Sequence, residues 1–284
     1  MLLRKSRTRF LTARNRLPDG DQTEIKSMEM TREDQTRLMD CVLDMGELLL
    51  DAGAEIGRVE DTLTRVGATY GAKRVDVFVI TSLVSVTMEF PGCEAMTETR
   101  RIRSNGQTDF YRVDKLNTIS RRCCAEPMPI AELRSQLDAV AAGKKPFGAL
   151  LAGSVLGSGS YAVFFGGTIW DALAAAVFAV VICHLQFRLG RTRANVVASN
   201  LVISLLTGLG VGLVATPIRA LHMDKILIGD IMLLIPGLTM TNAIRNMLLG
   251  DTISGVVRLA ESLIWAAALA GGFMVAMTVI NLLR

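Results

Sequence analysis

The sequence predicts a small α+β domain followed by an all-α membrane domain of five transmembrane helices, one of them broken at Pro236-Gly237. Three observations carry this expectation. Charge is dense up to Lys145 and sparse beyond it, although hydrophobic residues make up 50% of the 284. Apolar spacing in the first half changes from helical to β-type and back to helical. The second half holds a series of apolar stretches, each near the ~20 residues that cross a bilayer. The expected division is a basic disordered tail (1–30), a cytoplasmic α+β domain (31–128), an amphipathic connector (129–145) and a five-span membrane domain (146–284).

The tail, "MLLRKSRTRFLTARNR", supplies much of the net charge of +4. It reads as a solvated segment able to touch anionic lipid. No nucleic-acid motif or aromatic interleaving accompanies it, so nucleic-acid binding is not expected. In "TREDQTRLMDCVLDMGELLLDAG", Thr31 is placed to cap a helix with Asp34 three residues on, and Leu38, Val42, Met45 and Leu49 form its apolar stripe. Gly53 supplies the stop. A second helix carries Ile56, Val59, Leu63, Val66 and Tyr70 and ends at Gly71. "RVDVFVITSLVSVTMEF" is rich in β-branched residues and runs into a Pro91-Gly92 turn. "EAMTETRRIRS" reads as a returning strand before an Asn105-Gly106 turn. A helix over 109–124 turns Val113, Leu116 and Ile119 inward, and "IAELRSQLDAVAAG" forms the connector.

The five cysteines, Cys41, Cys93, Cys123, Cys124 and Cys183, show no C-x-x-C spacing, which fits reduced thiols rather than disulfides or a zinc site. Both histidines, His184 and His222, lie outside the N-terminal domain. That removes histidine-based triads and metal clusters from the domain, and no phosphate-binding P-loop pattern occurs. The carboxylates Asp51, Glu55, Glu60 and Asp61 gather around a helix break, where surface acids ordinarily cap and solvate. No enzymatic activity, cofactor or metal is expected.

The spans fall at about 146–167, 168–187, 195–215, 226–248 and 257–282. Lys144, Lys145, Arg188, Arg191, Arg193, Arg245 and Arg258 lie on one side, against Arg219, Lys225 and Arg284 on the other. This predicts a cytoplasmic N terminus and an outside C terminus. Gly153/Gly157 and Gly208/Gly212 have the spacing of close helix packing.

"IMLLIPGLTMTNAIRNMLLGD" is the unusual span. Proline costs about 3 kcal/mol inside a helix and glycine about 1 more. Thr239, Thr241, Asn242, Arg245 and Asn246 then fall on one side of the segment. Interrupted helices in transporters present free backbone groups and helix ends to a substrate. Pro236, Gly237, Thr239, Thr241, Asn242 and Arg245 are therefore the expected substrate-binding set. Arg258, Glu261 and Ser262 share a face of the last span, and Asp171 and Asp230 sit toward the opposite, outer ends. Asp171, Asp230, Arg258 and Glu261 are the expected coupling or gating set.

"LLLDAGAEIGRVEDTLTRVGATYG", "FFGGTIWDA", "IGDIMLLIPGLTMTNAIRN" and "GDTISGVVRLAES" resemble the threonine/serine exporter family, over about residues 31–282. The likeness is to the larger, N-terminal component of its two-part members, among them a bacterial succinate exporter subunit. It implies a multi-pass protein of the bacterial inner membrane and secondary-active export of small amino or carboxylic acids. A smaller membrane subunit of the same family would be the partner, and a homo-oligomer is a further possibility. Threonine and succinate both carry a carboxylate. Backbone N–H groups after the break, with Arg245 and Asn242, suit such a group, and Glu261 is the expected proton carrier. The other reading, a membrane-tethered cytoplasmic binding or regulatory module whose spans only anchor it, needs neither a broken helix nor an intramembrane polar stripe.

Overall fold

A computed structural model describes residues 30–102, 108–143, 147–191 and 195–283. The basic tail, the Asn105-Gly106 turn, Lys144, Lys145, Arg193 and Arg284 lie outside the described residues. The N-terminal domain comprises α1 (Arg32–Asp51), α2 (Ile56–Thr69), β1 (Arg74–Ile80), β2 (Leu83–Glu89), β3 (Met96–Arg101), α3 (Phe110–Ala125) and α4 (Ile130–Ala142).

Thr31 caps α1. Its hydroxyl accepts from the Asp34 amide at 3.2 Å and donates to the Asp34 carboxylate at 2.7 Å. The stripes Leu38, Val42, Met45, Leu49 and Ile56, Val59, Leu63, Val66 are all buried in one core, with Val79, Val84, Val86 and Met88 of the sheet. The β-branched run does not continue as one strand. It folds as a hairpin in which Ile80 pairs with Leu83 across Thr81-Ser82, and β2 becomes the centre of an antiparallel β1-β2-β3 sheet. No Gly, Pro or Asn marks that turn, so the usual sequence punctuation is missing. On the sheet's other face Ser85 pairs with Thr99 at 3.0 Å and Thr87 with Thr97 at 2.8 Å. α4, expected as a connector, also buries Leu133 and Leu137 in the domain core. It is tied to α1 by the Asp44 carboxylate, which takes both Arg100 of β3 and Arg134 of α4.

The membrane part comprises α5 (Phe147–Phe164), α6 (Ile169–Arg191), α7 (Val196–Ala215), α8 (Met223–Leu234), α9 (Gly237–Leu249) and α10 (Thr252–Leu282). Four helices, α5, α6, α7 and α10, are long and apolar enough to cross a membrane. The α8–α9 pair passes only as a single unit bent by 49°, making up to five spans. Helix α10 starts earlier than the sequence suggests. Its 31 residues at about 1.5 Å each give roughly 46 Å, well beyond the ~30 Å hydrocarbon core. Its first turns, which carry Arg258 and Glu261, are the surplus.

Small residues set the closest approach at the α7–α10 seam. A Cβ on Gly208 would lie 2.7 Å from Ala276, and one on Gly212 2.5 Å from Ile280. A Cβ on Gly272 would overlap Ser204 Oγ and lie 2.6 Å from the Leu201 carbonyl. The Gly208/Gly212 pattern is thus used within the chain. The Gly153/Gly157 pattern is not: Gly153 has nothing within 4 Å, and Gly157 meets only Leu233 at 3.5 Å. Helix α5 meets α8 instead at Gly229, whose Cβ would lie 2.6 Å from the Ser158 carbonyl.

Gly272→Ala should therefore force α7 and α10 apart and lower stability by about 1–3 kcal/mol, the usual range for overpacking. Gly153→Ala should stay within about 0.5 kcal/mol of the wild type. Thermal melts of the two purified variants check the pair, and equal melting temperatures would count against this seam.

Candidate functional site

The break between α8 and α9 is built from backbone geometry. Ile235 is extended (φ −62°, ψ 128°) and ends α8. Pro236 (φ −78°, ψ 51°) precedes α9. The Gly237 amide turns back to the Ile235 carbonyl at 2.8 Å, and the Met240 amide bonds to the Pro236 carbonyl at 3.0 Å. No side chain caps α9, so the amides of Leu238 and Thr239 meet no capping acceptor. A Cβ on Gly237 would meet nothing within 4 Å, so this glycine marks open space rather than close packing.

The polar stripe that follows is not uniform. Thr241 is exposed, and its hydroxyl donates to the Gly237 carbonyl at 2.9 Å, within its own helix. Thr239 and Asn242 are half-buried. Asn246 is buried and its side-chain oxygen has no partner. Arg245 is 59% exposed, and its Nη1 lies 3.1 Å from a carboxylate oxygen of Glu55, which is 18% exposed. Glu55 belongs to the N-terminal domain, at the start of α2. The same corner brings Glu60 toward Asp251, at the start of α10. Burial pushes the Glu60 carboxyl above its ordinary value; a hydrogen bond from the Val79 amide (3.1 Å) opposes this, and the like charge of Asp251 adds to it. The four carboxylates around the α1–α2 break are thus engaged separately. Asp51 pairs with Arg112 at 3.0 Å, Asp61 with Arg65 at 3.0 Å, Glu55 with Arg245, and Glu60 accepts from Val79.

Of the four other candidates, Asp171 and Asp230 lie on separate elements, while Arg258 and Glu261 share one face of α10. Asp171 is fully buried at the start of α6, where it forms a capping box with Thr168. It accepts from the Thr168 amide (2.7 Å) and hydroxyl (2.9 Å). It also takes the His222 amide at 2.6 Å and faces His222 Nδ1 at 2.9 Å, joining the α5–α6 turn to the α7–α8 loop. Asp230 is also fully buried, between α8 and α5. One oxygen accepts from the Ser158 hydroxyl at 2.7 Å, and the other has no partner among the described residues. Arg258 is half-buried and Glu261 exposed, one turn apart on α10, without a contact ion pair among the described residues. Among those residues no group of three or more His, Cys, Asp or Glu side chains is placed to hold a metal ion.

The structure combines a small domain, a set of long apolar helices, and one bent helix pair with polar groups after the bend. The family model for threonine/serine exporters matches residues 40–280. The chain belongs to the threonine/serine exporter family. A Mycobacterium tuberculosis (strain ATCC 25618 / H37Rv) protein named "Probable threonine/serine exporter" is 24% identical over 254 residues, covering 85% of this chain and 46% of its own length. The exporter-family chain thus spans about half the length of this curated relative. No solved structure matches it.

Sequence reasoning singled out Arg245 but could not see its partner, because Glu55 lies 190 positions away and carries no local signature. The one available hint is that Glu55 stands at a helix N-cap, a position that favours Ser, Thr, Asp or Asn, and makes no cap bond. Asp171 looks like a clamp, since both of its oxygens are occupied. Asp171→Ala strips the acceptor from two backbone amides and should cost about 1–3 kcal/mol for each donor left unpaired. Asp171→Asn, which keeps one acceptor, should fall between. Melting temperatures of the purified variants would decide it, and a wild-type melt for Asp171→Ala would count against the clamp.

Proposed function

We propose that this chain is a subunit of a secondary-active exporter of small carboxylate-bearing solutes of the threonine/serine or succinate type, working with a smaller membrane protein of the same family. The observation that carries the reading is the bent α8–α9 span with Arg245 on its polar stripe, three residues from Asn242. A planar guanidinium suits bidentate recognition of a carboxylate. The contact with Glu55 runs through Nη1 at 3.1 Å, and among the described residues no regular hydrogen bond accompanies it, which leaves donors of the fork for a second carboxylate. Pro236 and Gly237 supply the uncapped helix start, and Thr239 and Thr241 line the same segment.

For coupling, Asp230 fits better than Glu261. Glu261 is exposed on the surplus first turns of α10, whereas Asp230 is fully enclosed with one oxygen unpartnered. An enclosed carboxylate is costly unless something positive joins it, so loading and unloading a proton there would be felt by α5 and α8 together. Arg258 is assigned to the inner boundary of α10, where its long stem can reach the interface.

The assay is substrate flux in inverted membrane vesicles from cells producing each variant, with L-threonine and succinate as probes. Arg245→Lys should insert normally yet lose about tenfold or more at limiting substrate, since a hydrogen bond to a charged group is worth about 1.5–3 kcal/mol. Asn242→Ala should lose about fivefold, as for a neutral bond worth about 1 kcal/mol. Asp230→Asn should abolish the response to an imposed proton gradient. Wild-type flux in Arg245→Lys would remove the bidentate role, and strong transport by the purified chain alone in liposomes would remove the need for a partner.

The Lys/Arg asymmetry supports an N-terminal domain in the cytoplasm of a bacterial cell, with the spans in the inner membrane. The aromatic cluster of Tyr161, Phe164, Phe165 and Trp170, all exposed at the α5–α6 turn, suits the opposite interface. A reporter fused after the last residue should read as outside, and a cytoplasmic readout would overturn the five-span topology.

A further inference from the structure

The α1–α2 corner that carries Glu55 is a stiff platform. Gly53 adopts φ 78°, the Ala54 amide bonds to the Leu49 carbonyl at 2.9 Å, and the Asp109 amide bonds to the Ala52 carbonyl at 2.9 Å. Asp51, beside it, is tied to Arg112 of α3. The side chain displayed on that platform, Glu55, occupies the N-cap of α2 without making a cap bond. Its carboxylate reaches across to α9, onto the guanidinium carried by the second half of the bent span. Among the described residues this is the ion pair that joins the N-terminal domain to the spans. The neighbouring approach across the same joint brings together two acids, Glu60 and Asp251.

We infer that Glu55 is a built-in carboxylate competitor: it holds Arg245 while the site is empty, and a substrate carboxylate displaces it, releasing the N-terminal domain from the inner end of α9. The inference rests on the carboxylate-binding reading of Arg245. Three features support it. The occupant has the same functional group as the proposed substrate. Its contact through Nη1 makes no regular hydrogen bond among the described residues, so a free carboxylate has a better geometry to adopt. And the joint is a half-exposed charge pair with a like-charged pair beside it, which makes it breakable. The N-terminal domain thereby becomes a ligand-responsive cover, and Glu55 a residue that sets the concentration at which substrate engages.

The test uses the full-length chain in lipid nanodiscs with L-threonine and succinate as probes. Glu55→Ser removes the competitor and installs a good N-cap, so a purely structural Glu55 and a competing one make different predictions. The competing role predicts probe binding tightened by about two- to fivefold, the span that corresponds to losing a half-exposed ion pair, with no loss of thermal stability. Spin labels at Arg58→Cys and Leu248→Cys, in a Cys93→Ser, Cys124→Ser background, report the joint itself. Their separation should lengthen when probe is added to the wild-type corner, and should already be long without probe in Glu55→Ser. Arg245→Gln should abolish probe binding. If Arg245→Gln loses binding while Glu55→Ser binds the probes no more tightly than wild type, the competitor role is overturned and the carboxylate reading of Arg245 stands. If Arg245→Gln binds them as well as wild type, both fall together.

Discussion

A proline within a membrane-crossing segment creates a debt that the rest of the bundle must meet. Pro236 has no amide to give, and the turn at Ile235 takes the last carbonyls of α8 out of the regular ladder. In hydrocarbon each unsatisfied backbone group costs several kcal/mol, so irregular backbone survives there only against protein or water. The chain limits the damage locally, by turning the Gly237 amide to Ile235 and restarting the ladder from Pro236 to Met240. It limits it globally by clasping both half-helices. On one side, α8 is pressed to α5 at Gly229 and Ser158. On the other, a Cβ on Gly255 of α10 would lie 2.7 Å from the Ala243 carbonyl of α9. The break is thereby held between two close contacts rather than left to the lipid.

That arrangement separates the polar groups of the membrane half into three kinds. Asp171 and His222 close the α5–α6 turn and the α7–α8 loop onto each other, and both Asp171 oxygens are engaged. Asp230 sits in the α5–α8 contact with one oxygen committed to Ser158 and one idle. Arg245 stands at the far end of the bent unit, beyond the apolar core, facing the N-terminal domain. A single interrupted span thus links an enclosed acid on its first half to an exposed base on its second. A change in the bend angle would move both at once.

Much of this was legible in the residues. The stripes of α1 and α2, the Thr31 cap, the approximate places of the long apolar helices and the break at Pro236-Gly237 all follow from local periodicity and punctuation, which report the side a residue presents and where a ladder stops. The Thr81-Ser82 hairpin was not legible, because the turn is imposed by strand pairing rather than by residues that prefer it. The early start of α10 was hidden for a related reason: a helix can continue past the apolar stretch that announces it. The Gly153/Gly157 pattern shows the converse, a packing signal that meets little among the described residues. The site divided in the same way. Arg245 could be picked out by its cost in a span, but its pairing with Glu55, and the orphaned oxygen of Asp230 against Ser158, are tertiary facts without a sequence signature.

The chemistry of the joint between the two halves suits the displacement proposed for it. An apolar interface of standard size would fasten the N-terminal domain for good. A half-exposed ion pair is worth only about 0.2–1 kcal/mol. A ligand at ten times its dissociation constant stabilises the state it binds by about 1.4 kcal/mol, from RT ln 11. The second quantity exceeds the first, so a modest excess of carboxylate is enough to move the joint, whereas a handful of buried leucines in its place would be beyond the reach of any metabolite concentration. A domain that responds to solute level has to be held weakly, and charge at a half-wet surface is the weak attachment that a carboxylate can also compete for.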